Sequence, residues 1–215
     1  GSGPGTGNSE IPDEWEEDVV GPSVSPGVEK RIQECDGGDC DARPSGGSVA
    51  SIGDDELDWA EGDHTCDSDV TFETDGNDIT AVVDGDLDIN SDIHVDGSGS
   101  VTIYVRGSVQ QNGNRDINTG GGADQFSIQV HTDGESVTLQ GNTQYTGVVY
   151  APGSEINIGG NVGIRGAVVG ETVDLRGNPP EFEQADELED YQIVGGDRAL
   201  AYLHVSENPI EVELD

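Results

Sequence analysis

The feature that most constrains this chain is an internal repeat in its second half. Val137-Thr-Leu139-Gln-Gly141-Asn142 returns as Ile156-Asn-Ile158-Gly-Gly160-Asn161 and again as Val173-Asp-Leu175-Arg-Gly177-Asn178, at spacings of 19 and 17 residues. A second echo lies between the copies, Gly147-Val148-Val149-Tyr150-Ala151 against Gly166-Ala167-Val168-Val169-Gly170. Each period thus holds two short strands and two turns. A period of about 18 is too short for a leucine-rich horseshoe or a helix pair, and fits one coil of a parallel β-helix. Alternate residues of such a coil face inward, so Val137, Leu139, Ile156, Ile158, Val173 and Leu175 are expected to stack in ladders about 4.8 Å apart. Gly-Asn after each strand suits a corner, because both residues tolerate positive φ. The competing architecture is an antiparallel sandwich with coincidentally similar hairpins, since sandwich strands also recur with regular turn signals.

The repeat orders the rest of the chain around an all-β fold class, a short parallel β-helix over residues 70–180. Earlier strands are expected at Ile79–Val83, Gly85–Ile89, Ile93–Val95, Val101–Val105 and Phe126–Val130, with Gln111–Asp124 as a protruding loop. Residues 1–69 are rich in Gly, Pro, Ser and acid, and read as an extended arm with one short helix, Pro26 taking the first helical position ahead of Gly27–Glu34. Its apolar residues are too sparse to build a core. After Pro179-Pro180, residues 181–215 read as an acidic linker and two alternating strands, Ala199–Val205 and Ile210–Leu214, which would cap the open coil.

Charge narrows the setting. Asp plus Glu number 45 against 8 Lys plus Arg, a formal charge of −37, and Lys30 is the only lysine. Such a surface repels itself at ordinary ionic strength. Near-molar salt shortens the Debye length to about 3 Å and removes most of that penalty. Cations are natural partners, whereas nucleic acid and anionic membranes are not. No apolar run is long enough to span a bilayer, so no membrane contact is expected within the chain.

The stretch GVVYAPGSEINIGGNVGIRGAVVG and the ending LAYLHVSENPIEVEL resemble a group of haloarchaeal surface proteins with a pilin-like or membrane-anchored N-terminus ahead of a β-helical exterior domain. More distantly, the coil pattern resembles bactofilin-type polymer-forming proteins. The resemblance covers roughly residues 70–215 and implies a cell-surface location. It brings no catalytic residues.

Local chemistry offers few sites. Asp84-Gly-Asp86-Leu-Asp88 looks like the first ligand positions of a calcium loop, but Ile89 stands where that loop needs Gly, so a solvated acidic face is the simpler reading. Cys35-Asp-Gly-Gly-Asp-Cys40 can reverse and close a local disulfide, with Cys40–Cys66 as the alternative and a zinc site of Cys35, Cys40, His64 and Cys66 as a third arrangement of irregular spacing. The histidines, His64, His94, His131 and His204, are scattered without a nucleophile motif. Arg165 and Arg176 fall on successive coils and are expected to pair with surface acids. In the arm, Ile11, Trp15, Val19, Val20 and Val24 recur often enough to anchor an extended segment on a neighbouring subunit by β-augmentation. Together these features predict no enzyme, but an extracellular structural protein of an extreme halophile that assembles with itself into a filament or layer. The alternatives are a monomeric adhesin and a carbohydrate-active β-helix enzyme.

Overall fold

A computed structural model describes residues 25–35, 56–131, 136–177, 181–195 and 198–200. Fourteen strands form one parallel array wound into a three-faced solenoid. The first face stacks β1 (Glu56–Ala60), β4 (Ile79–Val83), β7 (Val101–Val105), β10 (Phe126–Val130) and the middle parts of the long strands β12 (Gln144–Gly160) and β13 (Gly163–Arg176). The second stacks β2 (His64–Cys66), β5 (Leu87–Ile89), β8 (Val109–Gln111), β11 (Ser136–Gly141) and the C-terminal parts of β12 and β13. The third stacks β3 (Val70–Glu73), β6 (Ile93–Asp96), β9 (Asp116–Ile117), the N-terminal parts of β12 and β13, and β14 (Glu181–Glu183). Every pairing in this array is parallel, which excludes the antiparallel sandwich.

The repeat is the register. Val137 pairs with Ile156 and Ile156 with Val173, while Leu139 pairs with Ile158 and Ile158 with Leu175. The lumen is a continuous apolar stack that includes Trp59, Phe72, Leu87, Ile103, Ile128, Leu139 and Ile158. At one corner Gly113, Gly141, Gly160 and Gly177 all have φ between 91° and 103°. A Cβ on Gly141 would collide with the Gly113 carbonyl oxygen and one on Gly160 with the Gly141 carbonyl oxygen, so these two corners require glycine. The asparagines that follow form an amide ladder, Asn161 donating to Asn142 and Asn142 to Asn114, each at 2.8 Å.

Corner aspartates are the second stitching device. Asp63 Oδ1 accepts from the Asp86 backbone N–H at 3.0 Å, and Asp86 Oδ1 accepts from Ser108 N–H at 2.7 Å. Along the next corner, Asp69 accepts from Asp92 N–H at 3.2 Å and Asp92 from Asp116 N–H at 3.0 Å. Each carboxylate satisfies a backbone donor one coil further along, where chain curvature interrupts the ladder. Part of the acidity is therefore structural.

The first face is buried on both sides, which explains the near-continuous apolar runs 79–83, 148–151 and 167–169. Its outward residues Val82, Tyr104, Val148, Tyr150, Ala167 and Val169 form a second cluster with Ile32 of α1 (Ser25–Glu34), with Cys35 directly after it, and with Ala185, Leu188, Tyr191 and Ile193. Polar contacts reinforce the helix, since Glu29 reaches Arg106 at 3.3 Å and His131 at 3.5 Å.

Three boundaries differ from expectation. The solenoid begins at Glu56, ahead of residue 70, because ELDWA has no β-branched residue and HTC only Thr65, yet both stack on β4 and β5. Gln111–Asp124 is not wholly a protrusion, since Asp116 and Ile117 supply a rung of the third face. Residues 185–193 lie along the side of the coil instead of across its end. A short antiparallel pair, β15 (Ile193–Gly195) with β16 (Arg198–Leu200), follows, and the remaining predicted capping strands fall outside the described residues.

Candidate functional site: the open end of the solenoid

Three inward ladders reach the last coil and stop there without cover among the described residues. Val137 and Ile156 are fully buried, but the next rung, Val173, is 43% exposed; Leu139 and Ile158 are buried, and Leu175 is 50% exposed. On the third face Ile164 is buried and Phe182 is 36% exposed. These three are the exposed large apolar side chains among the described residues. Each points inward by its register, so their exposure reflects the end of the stack.

The backbone at this end is open as well. Thr172–Arg176 of β13 pairs on one side with Glu155–Gly159 of β12, and no described strand lies on its other side. Arg176 Nε and Nη2 donate to Asp174 Oδ2 at 2.8 and 2.6 Å, leaving the edge with a locally compensated charge in a strongly acidic chain. The opposite end differs. Trp59, Cys66, Val70 and Phe72 of the first coil are at most 3% exposed, and Trp59 packs on His64 and edge-on to Phe72 across the lumen. Among the described residues, one end is sealed and the other presents an apolar layer beside a strand edge with no described partner.

The other predicted sites resolve differently. Asp84, Asp86 and Asp88 serve separate contacts: Asp84 pairs with Arg106, Asp86 bridges two coils through backbone N–H groups, and Asp88 lies within β5. No group of three or more potential metal ligands occurs among the described residues. Cys35 is disulfide-bonded, whereas Cys66 is a free thiol in the lumen, in register with Ile89. The Cys40–Cys66 alternative is therefore not formed, and the four-ligand zinc arrangement fails with it; Cys40 itself lies outside the described residues. Burial pushes the Cys66 thiol up to about 12, with Asp67 and Asp88 adding to the effect, so it is an inert core residue. Burial also holds the His64 imidazole down at about 4. His204 and the arm residues Ile11, Trp15, Val19, Val20 and Val24 lie outside the described residues.

A polar groove of about 340 Å³ runs along the third face, lined by Asp116, Gln144, Thr146, Arg165 and Glu183 among others. Its single cation is occupied, because Arg165 Nη2 contacts both oxygens of Glu187 at 2.5 and 2.8 Å, and Glu183 stands 3.6 Å from Nε. That hydrogen bond raises Arg165 and holds Glu187 below the usual carboxylate range. The pair anchors the segment after β14 to the coil.

A family described as a domain of unknown function, DUF7305, matches residues 7–191. No curated protein and no solved structure matches the chain. Because the family match takes in every coil of the solenoid together with the helix and the segment laid along its first face, the chain belongs to the DUF7305 family.

Proposed function

We propose that this protein is a non-enzymatic structural subunit of an extracellular filament or surface layer, working in concentrated salt and assembled through non-covalent β contacts. The observation that carries the reading is the uncovered last coil. Among the described residues, this chain of formal charge −37 gathers its large exposed apolar side chains at one end of the stack, beside a strand edge with no described partner. Exposed apolar layers and open edges are what soluble monomers normally cover, and they mark contact surfaces where they persist. High salt fits the same picture, since screening lets such acidic copies approach. Cations are the expected small partners of this surface.

A second reading, a monomeric adhesin or binding module, is favoured by the polar groove on the third face. The two separate by electron microscopy of native material in multimolar salt. Regular fibres or sheets support the structural subunit, and isolated particles support the module. Release of reducing ends from an acidic polysaccharide would contradict the non-enzymatic reading.

A further inference from the structure

We infer that the open end binds the same end of a second copy, across a two-fold axis passing through Asp174 of each β13 edge. The inference rests on reading the chain as an assembling subunit and adds which surface makes the contact.

Two observations select this occupant. First, a head-to-tail stack would need an open partner end, and the first coil is sealed at Trp59, Cys66, Val70 and Phe72. Self-association through the exposed layer must then use that layer twice, which makes the contact isologous. Second, the register closes. In an antiparallel pairing centred on Asp174, Val173 of one copy stands opposite Leu175 of the other, so both inward apolar positions continue the lumen across the junction. Thr172 stands opposite Arg176, and each Arg176 lies diagonal to the other copy's Asp174, within reach of a long side chain. The guanidinium that compensates Asp174 in one copy thus offsets the meeting of the two Asp174 carboxylates.

The test uses the full chain in multimolar potassium chloride, with mass followed by sedimentation. A dimer is expected. Leu175→Asp should weaken it by about 100-fold or more, because two charges replace two apolar contacts at the centre of the interface. The substituted position is half exposed in the single copy, so the β circular dichroism should be retained. Asp174→Cys places two thiols across the axis, within the roughly 4.5–5.5 Å Cβ separation of directly opposed residues, and should give a covalent dimer on mild oxidation. A wild-type monomer, or a dimer indifferent to Leu175→Asp, overturns the inference. So does a thiol introduced by Asp174→Cys that stays unreactive until residues 201–215 are removed, which would identify the tail as the occupant. The outcomes also separate this contact from the wider reading. Fibres that survive Leu175→Asp overturn the end contact and keep the structural subunit, whereas a discrete dimer that never extends keeps the contact and refutes the filament or layer.

Discussion

Truncating the Leu139–Ile158–Leu175 ladder one rung at a time should give costs that fall toward the open end. Leu139 is buried between Gln111 and Ile158, which are themselves buried, so Leu139→Ala leaves a cavity that its neighbours cannot easily fill. The transfer term for three carbons is about 2.4 kcal/mol, and the cavity term raises the cost to about 3.5–4.5 kcal/mol. Ile158→Ala removes the same number of carbons, but the half-exposed Leu175 on its far side can settle inward, which lowers the expectation to about 2.5–3.5 kcal/mol. Leu175→Ala removes atoms that are already half in water and should cost about 1 kcal/mol. The assay is urea unfolding in 2 M potassium chloride followed by circular dichroism, at protein concentrations low enough that no dimer forms. The slope with denaturant should stay constant across the series. Three equal costs, or a Leu175→Ala cost matching that of Leu139→Ala, would refute a stack that is closed on one side and open on the other.

Other consequences follow from the corners, the lumen and the charge. Gly141→Ala should destabilise by about 3 kcal/mol or more, because positive φ and the Gly113 carbonyl both oppose a Cβ, whereas Gly62→Ala, at similar φ with open space around it, should cost only about 1–2 kcal/mol; thermal denaturation in high salt measures both. His64 is held neutral by burial, so its folded value of about 4 lies below its unfolded value near 6.5, the unfolded state binds the extra proton between them, and stability from this group is present above about 6.5 and lost as pH falls toward 4. Relative to wild type, His64→Leu should therefore become progressively more stable across that window, and a constant difference would remove the argument. Thermal stability should rise steeply from about 0.1 M to multimolar salt, and a midpoint indifferent to salt would contradict self-repulsion as the dominant electrostatic term.

The coil was legible in the sequence where each rung repeats the last. The 137, 156 and 173 segments give fold and register directly, because parallel stacking places equivalent residues one coil apart. Glu56–Ala60 and His64–Cys66 escaped notice because such short rungs carry little β-branched signal, Thr65 alone, and only their neighbours make them strands. The role of the corner aspartates was missed for a different reason. Against so many acids a structural carboxylate looks like surface charge, although Asp63 and Asp86, and then Asp69, Asp92 and Asp116, recur 23 or 24 residues apart and could have been found by that period. The open end was not legible at all. Val173 and Leu175 match the buried residues of earlier coils in type and spacing, and nothing local marks them as the last described rung. The apolar runs of the first face did carry a signal, since continuous hydrophobicity implies cover on both sides, supplied here by α1 and residues 185–193.

Amide hydrogen exchange at Thr172–Arg176, measured against protein concentration in multimolar salt, tests the open end most directly. Amides of β4, β7 and β10 should exchange slowly at every concentration, because strands flank them on both sides. The β13 amides that point away from β12 should exchange fast in dilute solution and become protected as concentration rises. Equal and slow exchange at all concentrations would show that the end is covered within one chain, and fast exchange at all concentrations would show that nothing binds there; either result contradicts assembly through this edge.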